Sequence, residues 1–119
     1  MENKVVENWF DELRRLWLAK DIKSVRNLLS ENVQYYENPF KPPLIVWQDI
    51  EKAWQEIKRQ DISELEIKPL IIKDNEGTAS YTFAYRDPAG HGFKSKGAYY
   101  VKLDSEGRAV EFRQWWVNN

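Results

Sequence analysis

Three turn signals punctuate the second half of the chain: Asp74-Asn75-Glu76-Gly77, Asp87-Pro88-Ala89-Gly90 and Asp104-Ser105-Glu106-Gly107. Gly and Asn tolerate left-handed backbone, Pro presets φ, and Asp bonds back to its own main chain, so each cluster reverses the chain for a physical reason. Between the clusters the hydrophobic period is two. Ala79, Tyr81, Phe83 and Tyr85 alternate with Ser80, Thr82, Ala84 and Arg86, which is the pattern of a strand. Strands joined by such short turns run antiparallel. The chain from Ile62 to Val117 is therefore predicted as a four-stranded meander. Pro69 interrupts the first strand and marks it as an edge or a bulge.

The first half has the other period. Val5, Val6, Trp9, Phe10, Leu13, Leu16 and Trp17 recur at spacings of three and four, one face of a helix from about residue 3 to 20. Asp21 reads as the N-cap of a second, short helix that buries Ile22, Val25, Leu28 and Leu29. Trp47, Ile50, Ala53, Trp54 and Ile57 give a third helical face from about Val46 to Arg59. Between these helices lies Gln34-Tyr35-Tyr36-Glu37-Asn38-Pro39-Phe40. Val33 to Glu37 suits a short strand, and Asn38-Pro39 ends it.

The 119 residues make one domain, large enough for a core without staples. No repeat or linker divides residues 1–119. The sequence has no Cys, which rules out disulfides, thiol nucleophiles and Cys-ligated zinc and favours the cytoplasm. No apolar run is long enough to span a bilayer, and no secretory leader is visible. Net charge is −1 with acids and bases interspersed, so no basic face offers itself to nucleic acid. Six Trp, six Tyr and five Phe imply a core thick with rings, a cavity walled by them, or both. Both faces of the last strand carry large side chains: Val110, Phe112, Gln114 and Trp116 on one, Glu111, Arg113 and Trp115 on the other. Three helices can cover only one face, so a homodimer through the other face is expected.

The order helix, helix, short strand, helix, meander is an α+β layout. It resembles the NTF2-like superfamily, and within it the SnoaL-like group. The residues that carry the likeness are Tyr35 to Phe40, Trp54, Gly97-Ala98-Tyr99-Tyr100-Val101-Lys102-Leu103-Asp104 before Gly107, and Glu111-Phe112-Arg113-Gln114-Trp115-Trp116. The resemblance implies a cone-shaped α+β barrel, the cystatin-like roll, with three N-terminal helices and a short strand on a curved four-stranded meander. It also implies a pocket at the open end of the cone. The pocket would be framed by Trp17, the joint around Tyr36, Glu37 and Asn38, Trp54, and inward positions such as Tyr85, Gln114 and Trp116. A small apolar or aromatic ligand is the expected partner, and no cofactor or metal is implied.

The family's ketosteroid isomerases carry an Asp base directly before the Pro of the joint. Here that position is Asn38, which has no titratable group. The position matching the isomerases' first-helix oxyanion Tyr falls near Leu13, and the strand before Asp104 offers no second acid. Glu37 is left as the candidate acid/base, against the alternative of a carboxylate paired with Arg113 or Arg86. Glu111 and Arg113 are expected to pair on an outer face rather than clamp an anion. His91, alone in Gly90-His91-Gly92, has no neighbours for a metal site and reads as a solvated loop residue. Gly90, Gly92 and Gly97 form no phosphate loop, and no Ser sits in a nucleophile elbow.

Three functions remain open. The first is a small-molecule-binding protein with an aromatic-lined pocket. The second is a cofactor-free isomerase, cyclase or hydrolase using Glu37. The third is an interaction module acting through the convex sheet.

Overall fold

A computed structural model of the chain describes residues 2–118, without the side chains of 2 and 3. Helix α1 (Glu2–Ala19) is followed by a single turn, α2 (Ile22–Val25), which tightens into a 3-10 turn at Arg26–Leu28. Strand β1 is Leu29–Tyr35, and α3 (Trp47–Trp54) ends in a 3-10 segment, Gln55–Arg59. Strands β2 (Asp61–Lys73), β3 (Glu76–Arg86), β4 (Gly92–Leu103) and β5 (Ala109–Asn118) complete the chain.

The meander is present as the turn signals predict, with antiparallel pairs β2–β3, β3–β4 and β4–β5. Strand β1 is longer at its start than its sequence suggests, and it joins the sheet. It pairs parallel with β5, giving five strands in the order β1-β5-β4-β3-β2. Pro69 lies on the free edge strand β2, beside a register shift between Pro69 and Ile71. A residue without an N–H is tolerated at that place.

Helix α1 lies on the concave face. Its Val6, Trp9, Phe10, Leu13 and Leu16 are buried, the stripe that the spacing predicts. Opposite them the strands present Ala79, Tyr81, Tyr99, Val101, Leu103 and Phe112, all buried. Small residues let the helix come close. Gly77, read in the sequence as a turn glycine, sits in β3 instead, where a Cβ would stand 2.9 Å from Val6 Cγ1. The hairpin itself turns on Asp74 and Asn75, with Asp74 at φ 56°. Gly90 (φ 88°) and Gly107 (φ 80°) do hold turn positions.

Side chains lock the layers together. Trp9 Nε1 donates to the Leu28 carbonyl (2.9 Å) and Arg14 Nε to the Leu65 carbonyl (2.7 Å). Asp21 caps α2 by accepting from Ser24 N and Ser24 Oγ. On the convex face, Arg113 pairs with Glu111 (2.5 Å) and lies over the Tyr36 ring (4.0 Å). That is the outward pairing expected of Glu111 and Arg113. Trp115 (42% exposed) and Val117 (75% exposed) stand uncovered nearby.

Candidate functional site

Where β1 ends, the chain has to leave the sheet and cross the open end of the concave face. Tyr35 is its last paired residue, bonded through N and O to Leu44, while Tyr36 N donates to the Phe112 carbonyl. Asn38 Oδ1 then accepts from Phe40 N (2.9 Å), an Asx turn that sets the crossing. Two β5 side chains hold this joint from the inside. Gln114 Nε2 donates to the Tyr36 carbonyl (3.1 Å), and Trp116 Nε1 to the Glu37 carbonyl (3.4 Å).

Under the joint lies a cavity of about 290 Å3. Its floor is apolar: Leu13, Ile57, Tyr99 and Phe112, with Trp17 and Ala53 on the sides. Glu37, Asn38, Lys41, Glu56, Gln60 and Trp116 border it toward solvent. Trp17 packs edge-on against Trp54 (centroids 5.5 Å apart) and is anchored by its Nε1 to Gln60 Oε1 (3.3 Å).

Tyr35 and Trp54 bring buried side chains with polar ends to the apolar part. Tyr35 is 6% exposed and its ring packs on Phe112. Burial pushes its phenol well above the usual tyrosine range, the Glu37 charge pushes the same way, and nearby Trp54 and Gln114 partly oppose them. Trp54, also 6% exposed, brings its Nε1 beside that hydroxyl. Among the described residues it is the one buried side-chain N or O with no hydrogen-bond partner.

Of the residues singled out from the sequence, Trp17, Glu37, Asn38, Trp54, Gln114 and Trp116 line this cavity. Tyr36 and Tyr85 do not. Strand alternation turns Tyr36 to the convex face, under Arg113. Tyr85 lines a neighbouring cavity with Phe93, Glu56 and Gln60, at the end of a row of stacked rings running Trp17, Phe83, Tyr85, Phe93. Glu37 lies in the bend beyond the strand, which frees it from alternation and lets it line the cavity. It has no ion pair among the described residues, because Arg113 is held by Glu111 and Arg86 donates to the Gly90 carbonyl. Tyr35 was missed. Counting the inward period from Val33 places it in the concave face, and that was the available signal.

Elsewhere His91 packs in the β3–β4 turn against Asp87 and is exposed. No cluster of three His, Cys, Asp or Glu exists among the described residues, and no helix is long and apolar enough to cross a membrane.

No protein-family model and no curated protein matches the sequence. Solved structures do match. A ketosteroid isomerase from Mycobacterium sp. superposes with a TM-score of 0.79 at 12% identity, over 97% of this chain and 98% of the other. A candidate polyketide cyclase from Xanthomonas campestris pv. campestris also reaches 0.79 at 12% identity, over 98% of this chain and 93% of the other. An NTF2-like protein of unknown function from Burkholderia pseudomallei gives 0.68 at 16% identity, over 96% of this chain and 89% of the other. Likeness at such low identity speaks for architecture alone, and on it the chain has the NTF2-like fold.

Proposed function

We propose that the protein binds a small, mainly apolar or aromatic molecule in the cavity beneath the Tyr35–Phe40 joint. The observation that carries this reading is the cavity itself: about 290 Å3, ring-walled, with a few convergent polar groups, the usual make-up of a ligand site. Trp17, Trp54 and Trp116 all line it, so an occupant should change tryptophan emission. In a panel of apolar and aromatic compounds, at least one should quench that emission and raise the melting temperature. At a hundredfold excess over Kd, stabilisation is about 2.7 kcal/mol, or roughly 10 °C for a domain of this size. No quenching and no thermal shift across a broad panel would count against a ligand pocket.

A second reading, a cofactor-free enzyme of isomerase, cyclase or hydrolase type, is favoured by one fact: Glu37 lines the cavity and makes no ion pair among the described residues. The names of the matched structures support it only by analogy. Asn38 supplies no base beside it. Glu37→Gln separates the two readings. An enzyme loses turnover by about 100-fold or more while still binding its substrate. A binding protein keeps its affinity and shows no turnover in either form.

We also propose a homodimer through the convex sheet face, where Trp115 and Val117 stand exposed. A monomer by light scattering would overturn it and leave that face open to another protein.

A further inference from the structure

We propose that a second cavity, bordered by the start of β1, the start of α3 and the β4–β5 turn, binds a small amphipathic anion: a carboxylate or phosphate on an apolar or aromatic body. The cavity measures about 390 Å3 and shares no lining residue with the one beneath the joint. The parallel pairing of β1 with β5 creates it. Leu29 is in register with Ala109, which brings Arg108, the last residue before β5, alongside the Arg26–Leu28 turn that leads into β1. Two arginines far apart in the sequence thus line one space.

The sequence has seven arginines. Four have a protein acceptor for the guanidinium: Arg14 at the Leu65 carbonyl, Arg15 at Glu12, Arg86 at the Gly90 carbonyl and Arg113 at Glu111. Arg26, Arg59 and Arg108 have none among the described residues, and two of those three line this cavity. Like charges held around one space repel. Among the described residues Glu31 is the single acid lining it, exposed and without an ion pair. Two cations therefore share the space with one carboxylate, an imbalance that an anionic ligand relieves. Arg26 also lies over the Trp47 indole, with its guanidinium carbon 5.8 Å from the ring centroid. A stacked guanidinium keeps the N–H groups at its edge free to grip two oxygens of a carboxylate or phosphate at once.

The rest of the lining asks for carbon. Leu29, Val33 and Ile50 are buried where they border the cavity. Ile45 (62% exposed) and Val46 (45% exposed) line it as well, and an inorganic ion would leave their apolar surface in water. The half-buried Trp47 indole offers a face to a flat ring.

The test follows amide NMR shifts of the full chain with three probes: 2-naphthoate, its neutral amide 2-naphthamide, and inorganic phosphate. Naphthoate should shift the amides of residues 26–31, Trp47 and Arg108. It should bind about tenfold tighter than naphthamide, the difference that a charge-assisted hydrogen bond supplies. Its affinity should fall as salt rises. Arg26→Gln and Arg108→Gln should each weaken it about tenfold and leave the melting temperature nearly unchanged, since both residues are exposed. Glu31→Gln removes the opposing charge and should tighten binding. If an arginine variant does not fold, Glu31→Gln and the salt dependence of the parent decide.

Naphthamide binding as tightly as naphthoate, or an affinity indifferent to both arginine substitutions, overturns the anion site. Phosphate matching naphthoate overturns the apolar half of the claim. Shifts confined to the Tyr35–Phe40 joint place naphthoate in the first cavity, which overturns this site and supports the other. Shifts at residues 26–31 and Arg108 without any at the joint support this site, whatever becomes of the first cavity.

Discussion

At the scale of single residues, the joint rests on one side-chain hydrogen bond. Asn38 Oδ1 is occupied by Phe40 N, so its main task is to hold the turn. Asn38→Asp keeps an acceptor there and should leave the melting temperature nearly unchanged. Asn38→Ala removes it and should cost about 1 kcal/mol, read from urea unfolding. Gly97 is constrained differently. A Cβ at that position would lie 1.8 Å from the Trp115 carbonyl oxygen, where backbone cannot move aside cheaply. Gly97→Ala should therefore destabilise by more than about 3 kcal/mol or abolish folding, and a midpoint within error of the parent would refute the close approach. Tyr35 and Tyr36 show the limit of reading residues from sequence. Both are aromatic and adjacent, and only the register of a short strand says which one faces the cavity. Gly77 is similar, because a glycine beside Asp-Asn looks like a turn residue until the packing of Val6 shows why it has no side chain.

At the scale of elements, periodicity made most of the fold legible. The α1 stripe and the meander follow directly from spacings of three to four and of two. What stayed hidden is the parallel pairing of β1 with β5, since no local pattern names a partner about eighty positions away. The same pairing builds the site, because β5 then supplies Gln114 and Trp116 to pin the end of β1. Replacing Gln114 by Leu leaves the Tyr36 carbonyl without this donor and should cost about 1–2 kcal/mol. It should also loosen the joint, visible as faster amide exchange across Tyr36 to Phe40 than in the parent. Unchanged exchange there would show that the strand end holds itself. Helix α1 should be far less tolerant. Phe10 is fully buried, and Phe10→Ala should cost roughly 3–5 kcal/mol in chemical unfolding.

At the scale of the whole molecule, the concave core is rich in phenols that resist ionisation. Burial raises Tyr35, Tyr81 and Tyr99 above the ordinary range. Tyr100 is pushed up to about 12, by burial first and then by its hydrogen bond to Glu76. In the unfolded chain these phenols titrate near 10. Below that pH both states hold the proton, and stability does not depend on them. Above it the unfolded chain binds fewer protons, so stability falls as pH rises toward the folded values, by about 1.4 kcal/mol per pH unit for each phenol released. Urea midpoints should therefore be flat near neutrality and drop steeply beyond pH 10. Absorbance at the phenolate band should show Tyr35, Tyr81 and Tyr99 ionising only with unfolding, and six ordinary titrations in the native protein would contradict it.

The free edge of the sheet has a consequence of another kind. Strand β2 carries Leu70 (62% exposed) and Ile71 (70% exposed) beside Pro69, and Lys68 and Lys73 are exposed there too. A long edge with exposed aliphatics invites other chains to add strands to it. Pro69 denies that edge one donor, and the neighbouring register shift spoils its regularity. Colloidal behaviour should thus depend on a residue that does not line the candidate site. Pro69→Thr would fold as before yet seed edge-to-edge fibrils on concentration, and the edge proline would be what keeps the protein from becoming its own template.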